Sequence, residues 1–537
     1  MAFIKLRDLK RDSAGRYRSG TAAVVDVEYV ADVVGHSRQT VRERLGKVAW
    51  LSSDRKQGIF LSPTRGLVLY DVEADEFKSV ETNDPRLKDC CSWLPPVQSH
   101  TNFGDVYLLL SFLEDCGFLK VLRKVFMKRE DYERLLAHVV HGFLRDGSSI
   151  KCSTFIEQSA LSYVLPNLVF SNLACDYRYF ELMGRSSTMT AFFEALVDWM
   201  RKKEADFGNA CYVDSTELPS EAQNNPYVHL RTERGVTTSE MRMALILDEK
   251  SSLPVWYTIF PGNLMDVNTL RDVVDEVHAD LGVTISSLVL DAGYASRDLI
   301  QTYAAGNNKN IVVRMPSRRG YPYKTLYHKL RSQFEQPKYI FVRENSIYYG
   351  RRRQITLFGV DLFAYVYVDK QRALDGYREF IKKYPDQYSQ LKDGERKWMA
   401  VHAGYFVLLS NQELEPATLL DMYISRTHIE AVFKSGKSFE GLLPLAKWNE
   451  LSVRGKILQD VIQTIIRSLL LKATSGYKGS LADVFHEAAS IACFAEPHDS
   501  LRVETANKQA RLAYKELGYK VPSTLSLEVW KSRLYIA

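Results

Sequence analysis

Apolar positions change their spacing several times along this chain. Between residues 103 and 203 they recur with helical period, as in FGDVYLLLSFLEDCGFLKVLRKVF and TAFFEALVDWMRKK. From residue 209 the pattern breaks into short apolar runs, ACYVD, MRMALILD and LPVWYTIF, which predict strands. A helical segment, DVNTLRDVVDEVHADLG, follows, then a strand over LVLD, a helix over SRDLIQTYAA and a strand over NIVVRM. Three strands, a helix, a strand, a helix and a strand predict an α/β core built on one sheet. Residues 317–403 interrupt that core. YIFVREN and the alternating FAYVYVD predict antiparallel strands with one wet face, and ALDGYREFIKKYPDQYSQL predicts a polar helix. GYFVLLSN at 404–411 returns to a buried strand, with a helix from about 416 and a second long helix over VRGKILQDVIQTIIRSLLLKAT.

The two ends have their own texture. VADVVGHSRQTVRERL at 30–45 admits two readings. Ala31, Gly35 and Ser37 have the spacing of a helix-turn-helix with a basic second helix. The β-branched density of VVDVEYVADVV, continued by LGKVAWL, suits a strand pair instead, and that reading is preferred. Either places Arg38, Arg42 and Arg44 where they can contact DNA. The last sixty residues, with SLADVFHEAASIACFA and ETANKQARLAYKELGY, predict a small helical appendix.

Chemistry concentrates in YISRTHIEAVFKSGK. Tyr423, Arg426, Glu430 and Lys437 stand at offsets of 3, 7 and 14. At about 100° per helical residue, these offsets hold all four within roughly 60° of one another. Leu419, Met422, Ile429 and Phe433 form an apolar stripe about 50° away, so the helix can bury one side and present the other. Asp214 ends the apolar run in NACYVDST, and Asp291 ends the one in SSLVLDAGY. Taken alone, a strand-end Asp is ordinarily a turn or cap residue, and such a helix face is ordinarily solvated. Together, two strand-end aspartates and a later helical glutamate suit a carboxylate cage. Hard divalent ions, Mg²⁺ or Mn²⁺, prefer oxygen ligands, and two of them about 4 Å apart serve both oxygens of a phosphodiester displacement. Asp214, Asp291 and Glu430 are therefore the candidate catalytic and metal-binding residues. Tyr423, Arg426 and Lys437 are candidates for DNA contact, by stacking, by a bidentate phosphate grip and as a point charge.

Composition permits this reading without demanding it. The 537 residues are 46% hydrophobic and 25% charged, with a formal net charge of +6. That is an ordinary globular balance, mildly basic and long enough for two or more domains. The seven cysteines include no C-x-x-C pair, which suits reduced thiols in a cytoplasmic protein. No signal-peptide stretch opens the chain and no apolar run approaches the ~20 residues of a membrane span, so no membrane association is expected. Weaker features read as structure: Arg351, Arg352 and Arg353 as a solvated basic turn, His138 and His141 as ordinary helix residues, and Trp398 as packing rather than a DNA wedge.

The arrangement resembles the DDE transposases of bacterial insertion sequences, specifically the IS-four type with its Y-(2)-R-(3)-E-(6)-K signature. That signature is matched at Tyr423, Arg426, Glu430 and Lys437, and the family's two aspartates at Asp214 in DST and Asp291 in DAGY. IFPGNLMD at 259–266 is similar to the family's segment after the third strand. The likeness runs from about 100 to 530. It implies a ribonuclease-H-like α/β catalytic core with a β-rich insertion before the Glu, and helical regions at both ends. The expected division is a small basic module at 1–75, a helical DNA-binding and assembly region at 100–205, core at 208–316, insertion at 317–403, core again at 404–475 and the helical appendix at 476–537. The implied reaction is excision and insertion of a DNA element, using two Mg²⁺ or Mn²⁺ ions per site. The implied partners are double-stranded DNA (terminal inverted repeats and target) and a second copy of the chain, in the cytoplasm with the nucleoid. The alternatives are a ribonuclease-H-like nuclease or resolvase that cuts without inserting, and a non-catalytic DNA-binding descendant. Intact acids argue against the second, since a carboxylate beside phosphate costs affinity.

Overall fold

The computed structural model describes residues 2–536 apart from 30–36, 63–64, 81–83, 88–89, 92–100, 146–148, 170–172, 174–175, 221, 223–224, 234–235, 265, 306–308, 335, 344, 427–446, 448, 477–478 and 497–498. They fall into two compact units: residues 2–188 with 451–536, and the described residues of 189–426 with 447–450.

The chain opens as an antiparallel meander of six strands: β1 (Ala2–Arg11), β2 (Tyr17–Tyr29), β3 (Ser37–Leu51), β4 (Gln57–Ser62), β5 (Gly66–Asp71) and β6 (Glu76–Ser79). β2 and β3 pair from Thr21↔Lys47 to Tyr29↔Ser37. Residues 37–45 are thus a strand and not a recognition helix; β-branched density outweighs the Ala–Gly–Ser spacing. One face of the sheet buries Ile4, Val24, Leu45, Val48, Phe60 and Tyr70. Each such aliphatic or aromatic side chain removed from water contributes about 1.5–3 kcal/mol.

A short strand β7 (Thr101–Asn102) leads into helices that include α1 (Gly104–Asp115), α2 (Arg129–Leu144) and α3 (Ser186–Arg201). The central sheet follows. Its strands are β8 (Ala210–Pro219), β9 (His229–Glu233), β10 (Val236–Asp248), β11 (Pro254–Pro261), β12 (Ser287–Leu290), β13 (Asn310–Arg314), β14 (Ile340–Arg343), β15 (Ser346–Leu357), β16 (Val360–Asp369) and β17 (Tyr405–Ser410). Their order is β11-β10-β8-β12-β13-β17-β16-β15-β14, with β9 paired to β10. β8, β12 and β13 run parallel, and the remaining pairs are antiparallel. Helix α4 (Asp266–Leu281) makes the crossover from β11 to β12. The middle strands are apolar on both sides, as in SLVL of β12, which is buried at every position.

Residues 317–403 hold antiparallel strands, and one of them differs from expectation. β14, β15 and β16 extend the central sheet from β17. FAYVYVD has no wet face, because Ala364 to Val368 are all buried. The alternation misleads because tyrosine rings pack like hydrocarbon while their hydroxyls find partners: Tyr365 Oη donates to Gln412 O at 2.9 Å and Tyr367 Oη to Pro416 O at 2.7 Å. The polar stretch after β16 is three helices, Lys370–Lys383, Pro385–Gln390 and Asp393–His402. Arg351, Arg352 and Arg353 lie within β15, and Arg352 pairs with Glu413 at 2.6 Å; they are not a turn.

Helix α5 (Pro416–Ser425) follows β17, and α6 (Glu450–Ala473) begins the return to the first unit. α6 packs closely enough that a Cβ on Gly455 would meet Phe180 O at 1.8 Å. The C-terminal region is mixed and not purely helical. Helices Leu481–Ala488, Lys508–Glu516 and Leu527–Arg533 alternate with β18 (Ala492–Glu496), β19 (Ser500–Val503) and β20 (Thr524–Ser526). Helical spacing in SLADVFHEAAS holds only to Ala488, after which ACFAE pairs with β19 on one side and β7 on the other. The order β20-β19-β18-β7 joins the end of the chain to its first third. There Tyr514 Oη donates to Gly104 O at 2.6 Å, and Trp530 packs edge-on to Phe103 at 6.0 Å.

Candidate active site

β8 and β12 lie side by side, in register from Ala210↔Ser287 to Val213↔Leu290. Asp214 and Asp291 are the next residues after this paired stretch, so neighbouring strands about 4.8 Å apart bring them level. Asp291 directly follows β12, as expected. Asp214 does not end β8; it pairs with Leu245 of β10, and β8 runs on to Pro219. The apolar run stops there for another reason. Up to Val213 the strand is flanked on both sides, whereas past Leu290 β12 has ended and only β10 remains. Side chains from Asp214 onward therefore meet the sheet's open edge.

Helix α5 supplies the third side. Tyr423 lies one turn before Arg426, which caps the helix C-terminus. Arg426 Nη1 donates to Asp214 Oδ2 at 2.7 Å, and its Nη2 lies 3.6 Å from Asp291 Oδ1. Tyr423 Oη donates to the same Asp291 oxygen at 3.1 Å, and the guanidinium carbon sits 5.5 Å from the Tyr423 ring centroid. One cation thus bridges two carboxylates that come from strands 77 positions apart (214 to 291). The Arg426 side chain is only 9% exposed, against 19% for Asp214 and 40% for Asp291. A guanidinium so buried is held there by its acids, and removing them would leave a costly uncompensated charge. Burial, reinforced by the Asp291 charge, pushes the Tyr423 hydroxyl up, so it stays a hydrogen-bond donor. Burial likewise pushes Tyr212, two residues before Asp214, up to about 12.

Two carboxylates and one guanidinium leave a net formal charge of −1 in a pocket of hard oxygens. This donor chemistry fits a divalent cation. Among the described residues no group of three or more His, Cys, Asp or Glu side chains gathers as a metal site. Glu430 and Lys437, with Ile429 and Phe433, lie outside the described residues. Of the six candidates, the structure thus brings together Asp214, Asp291, Tyr423 and Arg426.

One neighbour escaped the sequence. The charge of Arg314, at the end of β13, is felt at Tyr423. It reaches the site through sheet pairing, which leaves no mark in local spacing. Arg242 of β10, which donates from Nη2 to Ser215 Oγ at 2.8 Å, lies on the opposite face of the sheet from Asp214. The histidines are structural: His138 stacks on Tyr179 at 4.7 Å, and burial holds His141 down to about 4. Trp398 packs edge-on against Tyr327 and Tyr405 at 5.0 and 5.4 Å. Arg42 is committed to Asp75 at 2.9 Å. No helix among the described residues is long and apolar enough to cross a membrane.

Residues 208–446, less than half of the chain, match the family described as "Transposase DDE domain". That span holds β8 to β17, α5 and every candidate site residue. No curated protein matches. Among solved structures, the chain aligns with a piggyBac transposase synaptic complex with hairpin DNA at 12% identity and a TM-score of 0.37. The alignment covers 72% of this chain and 79% of that one, and a likeness this loose carries no argument.

Proposed function

We propose that the protein is a DNA transposase of the DDE type, which cuts an element from DNA and joins it elsewhere. The observation that carries the reading is the convergence of Asp214, Asp291 and Arg426, from three separate elements, inside the segment that matches the transposase DDE domain. The order β11-β10-β8-β12-β13, with β8, β12 and β13 parallel, supports a ribonuclease-H-like core. The Y-R-E-K spacing supports the IS-four type. Asp214 and Asp291, joined by Glu430, would hold two Mg²⁺ or Mn²⁺ ions. When bound, such ions activate an oxygen nucleophile and neutralise the leaving oxygen.

The chain's own residues prepare that chemistry. Arg426 stands between Asp214 and Asp291 and holds the two carboxylates facing each other. A guanidinium exchanging from carboxylate to phosphate keeps its hydrogen-bonding geometry, since its fork suits both. DNA arriving beside the aspartates therefore gives Arg426 a second anion to hold, while Tyr423 continues to orient Asp291. Lys437 adds charge for the DNA. The working species is a dimer on two DNA ends, because one set of acids serves one end at a time.

The test is strand cleavage on duplexes that carry the element's ends. Asp214→Asn and Asp291→Asn should each abolish cleavage while end binding stays equal or tightens, since each removes a negative charge near phosphate. Cleavage persisting in either variant overturns the assignment.

A further inference from the structure

The first unit holds a second ordered set of charges, on the open face of β1–β3. Ile4, Ala22, Val24, Leu45 and Val48 point into that sheet's core. Strand alternation then sends Lys5, Arg7, Thr21, Ala23, Arg44 and Lys47 to the other face. The register aligns them in two rows, Lys5↔Ala23↔Arg44 and Arg7↔Thr21↔Lys47. Arg44 and Lys47 are three residues apart, which in a regular strand would put them on opposite faces. A bulge between them restores the match: Ala22 pairs with Gly46 and Ala23 with Arg44, so Leu45 is the extra residue. Gly46 takes φ +90°, and a Cβ there would meet Leu61 O at 1.8 Å, so the bulge depends on glycine. A second irregularity on β1, with Asp8 at φ +51°, returns Lys10 to the same face opposite Ser19.

The result is a trough. The middle strand contributes only Ser19, Thr21 and Ala23, while cations on β1 and β3 stand about 9.6 Å apart across it, two strand spacings. Lys5 and Arg7 are about 6.8 Å apart along the strand, close to the axial rise of two phosphates, about 3.4 Å each, on one DNA strand. Scattered surface cations are usually a solvated face, but among the described residues three acids of this sheet and its first turn each pair with another arginine. Asp26 pairs with Arg42 at 3.6 Å, Glu43 with Arg65 at 3.0 Å and Asp12 with Arg16 at 2.8 Å. Lys5 Nζ donates to neutral Gln39 at 3.0 Å, and exposed Asp8 is an acid on the rim. Between the cations the floor itself, Ser19, Thr21 and Ala23, offers no aromatic or long aliphatic group, and the apolar row Phe3↔Val25↔Val41 lies beside it.

We infer that this face binds the phosphate backbone of duplex DNA without reading its sequence, as a holding site separate from the candidate active site. The inference rests on the DNA-acting reading, and its test is independent of cleavage. The full chain carrying Asp291→Asn is titrated with a random-sequence duplex of about 30 base pairs at several salt concentrations. In that background, Lys5→Gln/Arg7→Gln/Arg44→Gln/Lys47→Gln should weaken binding at least tenfold and flatten the plot of log K against log salt by about 0.9 per lost contact. Thr21→Glu, a single exposed change in the floor, should weaken binding as well. Arg55→Gln/Lys56→Gln, in the β3–β4 turn, should leave the slope as it was. A folded quadruple variant with an unchanged slope overturns the inference, and if that variant does not fold, unchanged binding by Thr21→Glu overturns it. Equal loss of binding to anionic phospholipid vesicles, with duplex binding intact, also overturns it by assigning the face to a membrane. Loss of salt-dependent duplex binding with cleavage retained supports this face; cleavage that survives Asp291→Asn strikes only at the active-site assignment.

Discussion

At the scale of single residues, Arg426 is where structure and proposed chemistry meet. Its guanidinium offsets part of the charge of the carboxylates that a metal ion would need. Arg426→Ala should therefore tighten Mn²⁺ binding measured by calorimetry on the DNA-free protein, while weakening binding of cleaved ends and lowering its salt slope by about one counterion. Unchanged Mn²⁺ affinity in a folded variant would remove Arg426 from the site's electrostatics. The residues that meet here were legible beforehand because their chemistry is unusual at their positions: an acid closing an apolar run, an arginine one turn from a tyrosine. Arg314 was not, since an arginine at the end of a strand looks the same whether it faces solvent or a site. Asp214 was found for a partly mistaken reason. Its apolar run ends with the neighbouring strand, not with its own.

Among the elements, helices declared themselves most clearly. The 3.6-residue period of DVNTLRDVVDEVHADLG agrees with α4, because such a pattern requires one buried face over several turns. Short strands gave less certain evidence. ACFAE looks like the tail of a helix until β7 and β19 are in place, and FAYVYVD looks half-wet because the ring of a tyrosine is apolar while its hydroxyl is not. Helix α2 makes its own pH-dependent contribution. His141 is buried there, and its folded value near 4 lies below the unfolded 6.5. The unfolded chain then binds the extra proton first, so stability is full above about 6.5 and falls as pH drops toward 4, by about 3 kcal/mol at most. Urea midpoints across that window should fall less steeply for His141→Phe, which keeps a ring against Phe155 without a proton to bind. An identical slope in the variant would place the acid sensitivity elsewhere.

Over the whole molecule, the proposed dimer is tested by the mass of the complex that Asp291→Asn forms with matched end duplexes and divalent metal. Two chains and two ends are expected, and a one-chain, one-end complex that still excises both ends in the wild type would exclude it. The α/β core could be read from the chain because its strands and helices alternate locally. The first unit could not, since β7 pairs with β18 across 392 positions: Thr101 Oγ1 lies 3.1 Å from Cys493 Sγ. That pairing sets an order of events during synthesis. The described residues of the second unit, 189–426 with 447 and 449–450, all leave the ribosome before β18 and can fold as a unit. The α1 region must wait, its apolar surface shielded by other means, until β18, Tyr514 and Trp530 have been translated. A message cut short before those codons yields a protein with the aspartates in place and the first unit open, a ready substrate for the cell's proteases.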